Sequence, residues 1–270
     1  MISGVSYNVF NGEEHLLHSL RVMRKNVDYI NLVVQFTSNS GNRASPRLSE
    51  IIHQAHFENL ADTLEVYEPD LAMPSAANEH KKRNIGLKLA KLAGITHFMT
   101  MDCDEYYLSQ EFARAKEFIA VEKIETSAVP TYLHIKRPVW RSKEPDVTCC
   151  SFLTKISRTS EIVFDSAYPV LVDPTRRLHG DSTTFHFFDT TMISMRHMNL
   201  VRDDDLRSKL ANSSNAYATE FMANVRRAYD DWRFGDELSF PNKPPMQIIK
   251  VDDIFGIDQY FSKHKESNVR

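Results

Sequence analysis

The chain has 270 residues, of which 42% are hydrophobic, 26% charged and 10% aromatic. This is the composition of an ordinary globular protein, which excludes a disordered, collagen-like or membrane-spanning chain. The net charge of -3 and the pI near 6.4 do not favour nucleic acid as the partner of the whole surface, although they leave a local basic patch open.

Targeting signals and cysteine pattern both predict a cytoplasmic protein. The N-terminal residues 1–8 have no basic region followed by a long apolar run, so no secretory signal is expected. No transmembrane segment is expected either, because no run approaches the roughly 20 apolar residues that cross a bilayer. The three cysteines, of which Cys149 and Cys150 are adjacent, form neither a disulfide framework nor a CxxC metal motif.

The first hundred residues alternate strand-like and helix-like segments, a pattern that predicts a mostly parallel sheet flanked by helices. Strands are predicted at 2–10, 30–37, 63–67 and 95–101. The helices between them are predicted to begin with a capping box at Asn11, near Pro46 and with a cap at Asn78, and Gly94 is predicted to end the third.

The remainder of the chain is less regular. After a helix beginning at Ser109, the sequence from 128 to 200 is β-rich, and two helices are predicted at 204–211 and 218–232. Another β-prone run lies at 246–257, and the last residues, 263–270, are predicted to be frayed.

Two carboxylates, Asp102 and Asp104, follow the fourth predicted strand. Ligands of open α/β sheets bind outside the carboxyl ends of the strands, and carboxylate oxygens suit Mg²⁺ or Mn²⁺, which would bridge a diphosphate. A solvated acidic turn is the simpler alternative for so common a pattern. The basic segment His80–Asn84 opens the preceding helix, and Arg83 is the candidate for a phosphate contact because its planar fork engages two oxygens.

Three segments resemble GT-A glycosyltransferases, especially the large bacterial and phage family 2 type with a DxD motif. They are Ser6–Glu14, Lys82–Leu87 and Met99–Glu105. The resemblance implies an α/β fold with a Rossmann-like, mixed but mostly parallel sheet flanked by helices. Residues 1–110 would form the nucleotide-sugar-binding half, and 111–270 a β-rich acceptor half with C-terminal helices in the same domain.

In function, the resemblance implies a metal-dependent hexosyltransferase that moves a sugar from a nucleotide-diphosphate donor, a UDP-sugar, to a hydroxyl of a saccharide or glycoconjugate. The loop after the first strand would contact the base and ribose through Tyr7, Asn8, Asn11 and Glu13, and Asp102 would also contact the donor.

The segment Met195–Arg202 resembles the late region in which a histidine completes the metal shell. His197 would then join Asp102 and Asp104, a ligand set that suits Mn²⁺ better than Mg²⁺. A structural histidine is the alternative. Arg202 would stabilise the departing diphosphate, or is simply an exposed arginine at a helix start.

The catalytic base is assigned by position alone to Asp181, which lies between the DxD motif and His197. An inverting transferase needs such a group to accept the proton of the acceptor hydroxyl. Inversion is favoured over retention, but the Glu-Asp pair of many inverting members is missing here, which leaves retention open. Competing candidates are Asp165, Asp173, His179 and Asp189.

Two other enzyme classes use similar features. A haloacid-dehalogenase-type phosphatase has an Asp-x-Asp at a strand end, but on an early strand and followed by Thr or Val, whereas Glu105 follows here. A sugar nucleotidyltransferase would open with a glycine-rich loop, and only Gly4 and Gly12 are present. A lectin-like protein would need no charged pair. Aromatic residues that could stack on an acceptor sugar are Trp140, Tyr168, Phe185, Phe187 and Trp232.

Overall fold

The computed structural model describes residues 1–164, 167–179, 184–213, 218–241 and 243–267, with side chains to residue 262. The helices are α1 (Glu13–Met23), α2 (Arg47–Phe57), α3 (Ser75–Leu92), α4 (Ser109–Glu122), α5 (Arg207–Ala211), α6 (Thr219–Asp231) and α7 (Asp258–Ser267), with a 3-10 helix at Pro174–Arg176. The strands are β1 (Ser3–Val9), β2 (Tyr29–Val34), β3 (Thr63–Val66), β4 (His97–Asp102), β5 (Glu105–Tyr106), β6 (Thr126–Val129), β7 (Thr131–Ile135), β8 (Trp140–Ser142), β9 (Cys150–Ser151), β10 (Thr154–Lys155), β11 (Glu161–Ile162), β12 (Leu178–His179), β13 (Phe185–Phe187), β14 (Met195–Leu200), β15 (Glu237–Leu238) and β16 (Met246–Lys250).

The chain forms two compact units, and it passes between them three times. The first unit contains residues 1–131 and 147–195, and the second contains residues 132–146 and 196–270. The first unit therefore extends well beyond residue 110, to which it adds α4 and several short strands.

The main sheet of the first unit has the order β10-β4-β1-β2-β3, and its strands β4, β1, β2 and β3 are parallel. Only β10, at one edge, runs antiparallel to its neighbour. All six residues of β2 are buried, because apolar side chains on both faces of this central strand meet helices. The predicted α/β class is confirmed, and so are its first four strands.

The second unit has its own sheet, in which strands follow the order β15-β16-β8-β7-β14. Its core is formed by side chains from these strands and from α6, among them Ile135, Leu200, Tyr229, Trp232 and Ile248. Within the described part of the chain, no helix is long and apolar enough to cross a membrane.

Two local predictions were wrong, and one helix was missed. The capping box at Asn11 does not form at the start of α1, because the N-cap is Gly12, which has a φ of 96° and no side-chain capping bond. Helix α3 begins three residues before Asn78, whose side chain instead holds the preceding loop through bonds to Asp70 and the Tyr67 hydroxyl. Helix α7 was not predicted, because its sequence is mostly polar.

Candidate active site

The candidate site lies where β1 and β4 end side by side. Asp102, the last residue of β4, is paired in register with Asn8 of β1. Since β2 lies on the other side of β1, the strand order reverses between β1 and β4. Such a switch point opens a crevice at the carboxyl ends of the strands, where α/β proteins bind their ligands.

Helix α3 approaches this edge very closely because Gly86 has no side chain. A Cβ atom at Gly86 would lie 1.9 Å from Oγ of Ser6 in β1, closer than any real contact allows. The close packing fixes the helix turn that precedes Gly86 and carries Lys82 and Arg83. The absence of a side chain at Gly86 thus allows α3 to place Lys82 and Arg83 near the ends of β1 and β4.

Asp102 is held by two buried arginines. Nη2 of Arg83 lies 3.2 Å from Oδ1 of Asp102, and Nη2 of Arg176 lies 2.6 Å from Oδ2. Arg83 is completely buried and Arg176 nearly so, whereas the side chain of Asp102 is 31% exposed. The carboxylate of Asp102 is therefore the open end of an otherwise enclosed ion cluster.

Glu105 forms the inner end of this cluster. Arg176 contacts both carboxylate oxygens of Glu105, with Nη1 at 2.9 Å from Oε2 and Nη2 against Oε1. The backbone N–H of Asp102 donates to Oε2 at 3.2 Å. One guanidinium thus ties two carboxylates together, in the paired geometry that makes arginine–carboxylate contacts strong.

A short capped turn presents Arg176 to the two carboxylates. Asp173 accepts from the backbone N–H and the hydroxyl of Thr175, both at 2.8 Å, and Pro174 occupies the first helical position. Nε of Arg83 donates to the Thr175 hydroxyl at 3.2 Å, which connects the turn to α3. Asp173, a competing candidate for the base, is therefore a capping residue.

Burial and the neighbouring charges together set the ionisation of the cluster. Burial raises the pKa of Glu105 to about 7, against the opposing effect of Arg176. Burial alone would lower the pKa of Arg83, but the carboxylates of Asp102 and Glu79 outweigh it and raise that pKa. Glu79 itself accepts from Nη2 of Arg83 at 2.8 Å. The arginines therefore stay charged, while burial makes Glu105 harder to ionise than an exposed glutamate.

Lys82 provides a further buried cation behind the same edge. Its Nζ donates to the carbonyl of Val9, the last residue of β1, and to Oε1 of Gln35, both at 2.9 Å. Burial lowers the pKa of Lys82 to about 7, although Cys103 and Asp102 oppose the shift. Lys82 thus fixes the point at which the chain leaves β1.

The predicted nucleotide contacts differ in their exposure. Tyr7 is completely buried and its hydroxyl lies 2.8 Å from that of Ser19, so its side chain belongs to the core. Asn8, Asn11 and Glu13 are partly exposed at the end of β1 and the start of α1. Unlike Tyr7, these three residues are not enclosed in the core.

The other predicted site residues fall into three places. Asp104 lies near Asp102 but is only 2% exposed. His197 and Arg202 belong to the second unit, where Arg202 is buried. Asp181 lies outside the described residues, as does the competing candidate Asp165.

Arg176 and Glu105 are the site residues that the sequence reasoning missed. Glu105 could have been found, since it directly follows Asp104 at the same strand end. Arg176 could not, because 74 positions separate it from Asp102 and it lies in a stretch without periodicity. Only the fold brings it to the edge of the sheet.

The cluster suits a divalent cation by charge more than by arrangement. Five carboxylates lie around Arg83, Arg176 and Lys82, and oxygen ligands are those that Mg²⁺ and Mn²⁺ prefer. They are those of Glu79, Asp102, Asp104, Glu105 and Asp173. Both oxygens of Asp102, however, contact arginines, and among the described residues no three His, Cys, Asp or Glu side chains converge on one point. A cation at Asp102 must compete with Arg83 and Arg176.

No family model matches the sequence, and no curated protein matches it either. Among solved structures, the chain is similar to S. aureus TarS, with 11% identity over 90% of this chain and 46% of that one and a TM-score of 0.45. The TarS fragment 1–349 in complex with UDP-GlcNAc shares 18% identity over 50% of this chain and 35% of that one, with a TM-score of 0.34.

A third similar structure is that of GalNAc-T7 with UDP, GalNAc and Mn²⁺, at 11% identity over 87% of this chain and 52% of that one and a TM-score of 0.41. The chain spans between about a third and about half of the length of these proteins. At TM-scores below 0.5 these similarities do not decide the function, which rests on the site residues instead.

Proposed function

We propose that this protein is a glycosyltransferase of the GT-A type that transfers a sugar from a nucleotide-diphosphate donor, a UDP-sugar, to a hydroxyl of a saccharide or glycoconjugate. The observation that supports this most is the position of Asp102 at the switch point between β1 and β4, in contact with two buried arginines and two residues before Asp104. That crevice combines cationic groups for a diphosphate with carboxylates for a cation.

Each residue of the crevice would have a defined task. Asn8, Asn11 and Glu13 would contact the base and ribose from the loop after β1. Arg83, buried beside Asp102, would balance the charge that develops on the diphosphate as the bond to the sugar breaks. Burial strengthens this effect, because a charge in a low-dielectric environment is screened less than one in water.

Asp102 and Asp104 would hold Mn²⁺ or Mg²⁺ through their carboxylate oxygens. The ion would supply Lewis acidity to the diphosphate.

In the transfer itself, the acceptor oxygen bonds to the anomeric carbon as the bond to the diphosphate breaks, and the nucleoside diphosphate leaves. The acceptor proton passes to a base, for which Asp181 is the candidate in an inverting reaction. The first unit, residues 1–131 and 147–195, would supply the donor site, and the second unit would bind the acceptor. The three free cysteines suit a reducing compartment such as the cytoplasm.

Hydrolysis of a panel of nucleotide sugars tests the proposal without knowledge of the acceptor. Release of a nucleoside diphosphate is expected with Mn²⁺ or Mg²⁺ and not with chelator. Asp104→Ala should lower kcat/KM by about 100-fold or more, since metal assistance supplies several kcal/mol. Glu58→Gln, which breaks the surface ion pair with Arg21, is the control that should leave activity unchanged.

Two outcomes would refute the proposal. One is unchanged donor hydrolysis in Asp104→Ala. The other is hydrolysis of a generic phosphomonoester in preference to every nucleotide sugar, which would favour the phosphatase. Formation of a nucleotide sugar from a sugar phosphate and a nucleoside triphosphate would instead favour the nucleotidyltransferase.

A further inference from the structure

The second unit contains a cavity that the proposed chemistry at Asp102 does not use. Its volume is about 340 Å³, within the range of roughly 300–1,000 Å³ that is usual for small-ligand pockets. Residues after β7, at the start of β8, before α5 and at the end of α6 line it. We call it the aromatic pocket.

Stacked rings form one wall of the aromatic pocket. Trp140 stacks against Phe234 at 5.6 Å between ring centroids and an angle of 26°, and it meets Trp232 edge to face at 5.5 Å. Trp232 is buried and its indole N–H donates to the carbonyl of Asp236 at 3.1 Å. Phe234, by contrast, is 48% exposed. A fixed aromatic stack therefore supports one ring that is open to ligand.

The charged side chains that line the same pocket are held in place by polar contacts. Arg226 pairs with Asp230 at 2.6 Å, and Nη1 of Arg233 donates to the carbonyl of Trp232 at 2.9 Å. Nζ of Lys136 donates to the same carbonyl at 2.8 Å. Guanidinium groups are planar multiple donors and carboxylates are acceptors, so the rim offers both hydrogen-bonding partners that vicinal hydroxyls need.

Unusual backbone conformations concentrate at the aromatic pocket. Lys136 and Asp205, which line it, have φ angles of 57° and 53°, and Leu206 has 69°. The other two non-glycine residues with positive φ in the described chain, Asn59 and Lys123, lie at helix ends, where this conformation is common. Leu206 is instead the N-cap of α5, with Asp205 just before it, and Lys136 follows a strand. Away from helix C-termini, non-glycine residues keep a positive φ only where their surroundings fix them, and such positions cluster at binding sites.

We propose that the aromatic pocket binds a saccharide, with the apolar face of a pyranose ring against Phe234 and its hydroxyls bonded to Arg226, Asp230 and Arg233. This inference rests on the proposed function, because the bound saccharide would be the acceptor of the glycosyltransferase, recognised by the second unit. Ring stacking with a polar rim distinguishes a saccharide from a purely anionic ligand, which would not need the exposed Phe234.

Intrinsic fluorescence can report binding directly, because the only two tryptophans of the protein, Trp140 and Trp232, both line the aromatic pocket. The full chain is titrated with methyl glycosides of glucose, galactose, N-acetylglucosamine and glucuronic acid, and with chitotriose. We expect a saturable change in emission with at least one of them. The glucuronide tests whether the cationic rim selects an acidic sugar.

Phe234→Ala should weaken that binding at least tenfold, measured also by ligand-observed saturation-transfer NMR, which does not depend on the tryptophans. Phe57→Ala removes a phenylalanine that is 86% exposed on α2 and should bind as the wild type does. Absence of any response to the five probes, or equal binding by Phe234→Ala, would overturn the inference. Donor hydrolysis by the wild type is scored separately, so saccharide binding without hydrolysis refutes only the proposed function.

Discussion

Replacement of Arg176 by methionine should be among the most destabilising changes at the candidate site. Methionine keeps the approximate length and apolar packing of the arginine stem but removes its contacts to Asp102 and Glu105. Asp102 is partly exposed and keeps Arg83. Glu105 is buried and, among the described residues, keeps the backbone N–H of Asp102. The loss of stability therefore comes mainly from Glu105, which stays buried without its arginine partner.

Breaking a buried ion pair from one side costs about 3–5 kcal/mol, because the remaining charge is buried without compensation. The pKa of Glu105, already raised by burial to about 7, should rise further without Arg176. Its folded-state pKa then lies far above the unfolded value, so protonation stabilises the folded variant below that pKa and the stabilisation is lost as pH rises. We expect a loss of about 3–5 kcal/mol at pH 8 and about 1–2 kcal/mol at pH 5.5.

Urea denaturation followed by far-UV circular dichroism at both pH values measures this difference. Arg21→Met is the matched control, because Arg21 makes the same two-pronged contact with Glu58 but in solvent. Exposed pairs contribute roughly 0–1 kcal/mol. Equal losses in the two variants, or a loss for Arg176→Met that does not shrink as pH falls, would show that burial of Glu105 does not govern the cluster.

Two further predictions concern α3. Gly86→Ala should lower the free energy of unfolding by more than about 2 kcal/mol, because its Cβ would collide with Ser6. This loss is expected although alanine is favoured over glycine in helices by about 1 kcal/mol. A second substitution, Ser6→Gly, should restore most of the loss. Thermal unfolding of the single and double variants checks this, and a stabilised Gly86→Ala would contradict it. Lys82→Met should abolish a rise in stability with pH between about 7 and 10, because the folded-state pKa of Lys82, about 7, lies below its unfolded value. Urea denaturation across that range should show the wild type gaining on the variant by up to about 4 kcal/mol, and parallel curves would refute the assignment.

The parallel sheet could be predicted because each of its strands is recognisable from a short stretch of sequence. Each of the first four strands is a short apolar run bounded by polar loops, and the C-terminal cap of α3 was found from Gly94, which has a φ of 74°. Helix starts were less predictable, since Asn11 and Asn78 can cap a helix or hold a loop. Tertiary contacts determine which of the two roles such a residue takes, and Asn78 bonds to the preceding loop instead of capping the helix.

The site was predictable only as far as its strand ends. Asp102, Asp104 and Arg83 have recognisable positions in the sequence, and the structure places Asp102 and Arg83 in contact. The sequence pattern does not reveal which side chains are exposed. Tyr7 was therefore predicted to contact the nucleotide, although its strand is covered on both faces. Arg176 depends on the return of a distant segment, which no local periodicity encodes.

The three crossings between the units bear on how the protein is made and dissected. Residues 147–195 return to the first unit and carry Arg176, so a fragment that ends at residue 110 would leave Asp102 with half of its cationic partners. During synthesis, the first unit has all of its residues once position 195 has left the ribosome, before most of the second unit exists. The crevice at the ends of β1 and β4 should therefore be able to form first, because the path of the chain completes the first unit before the second.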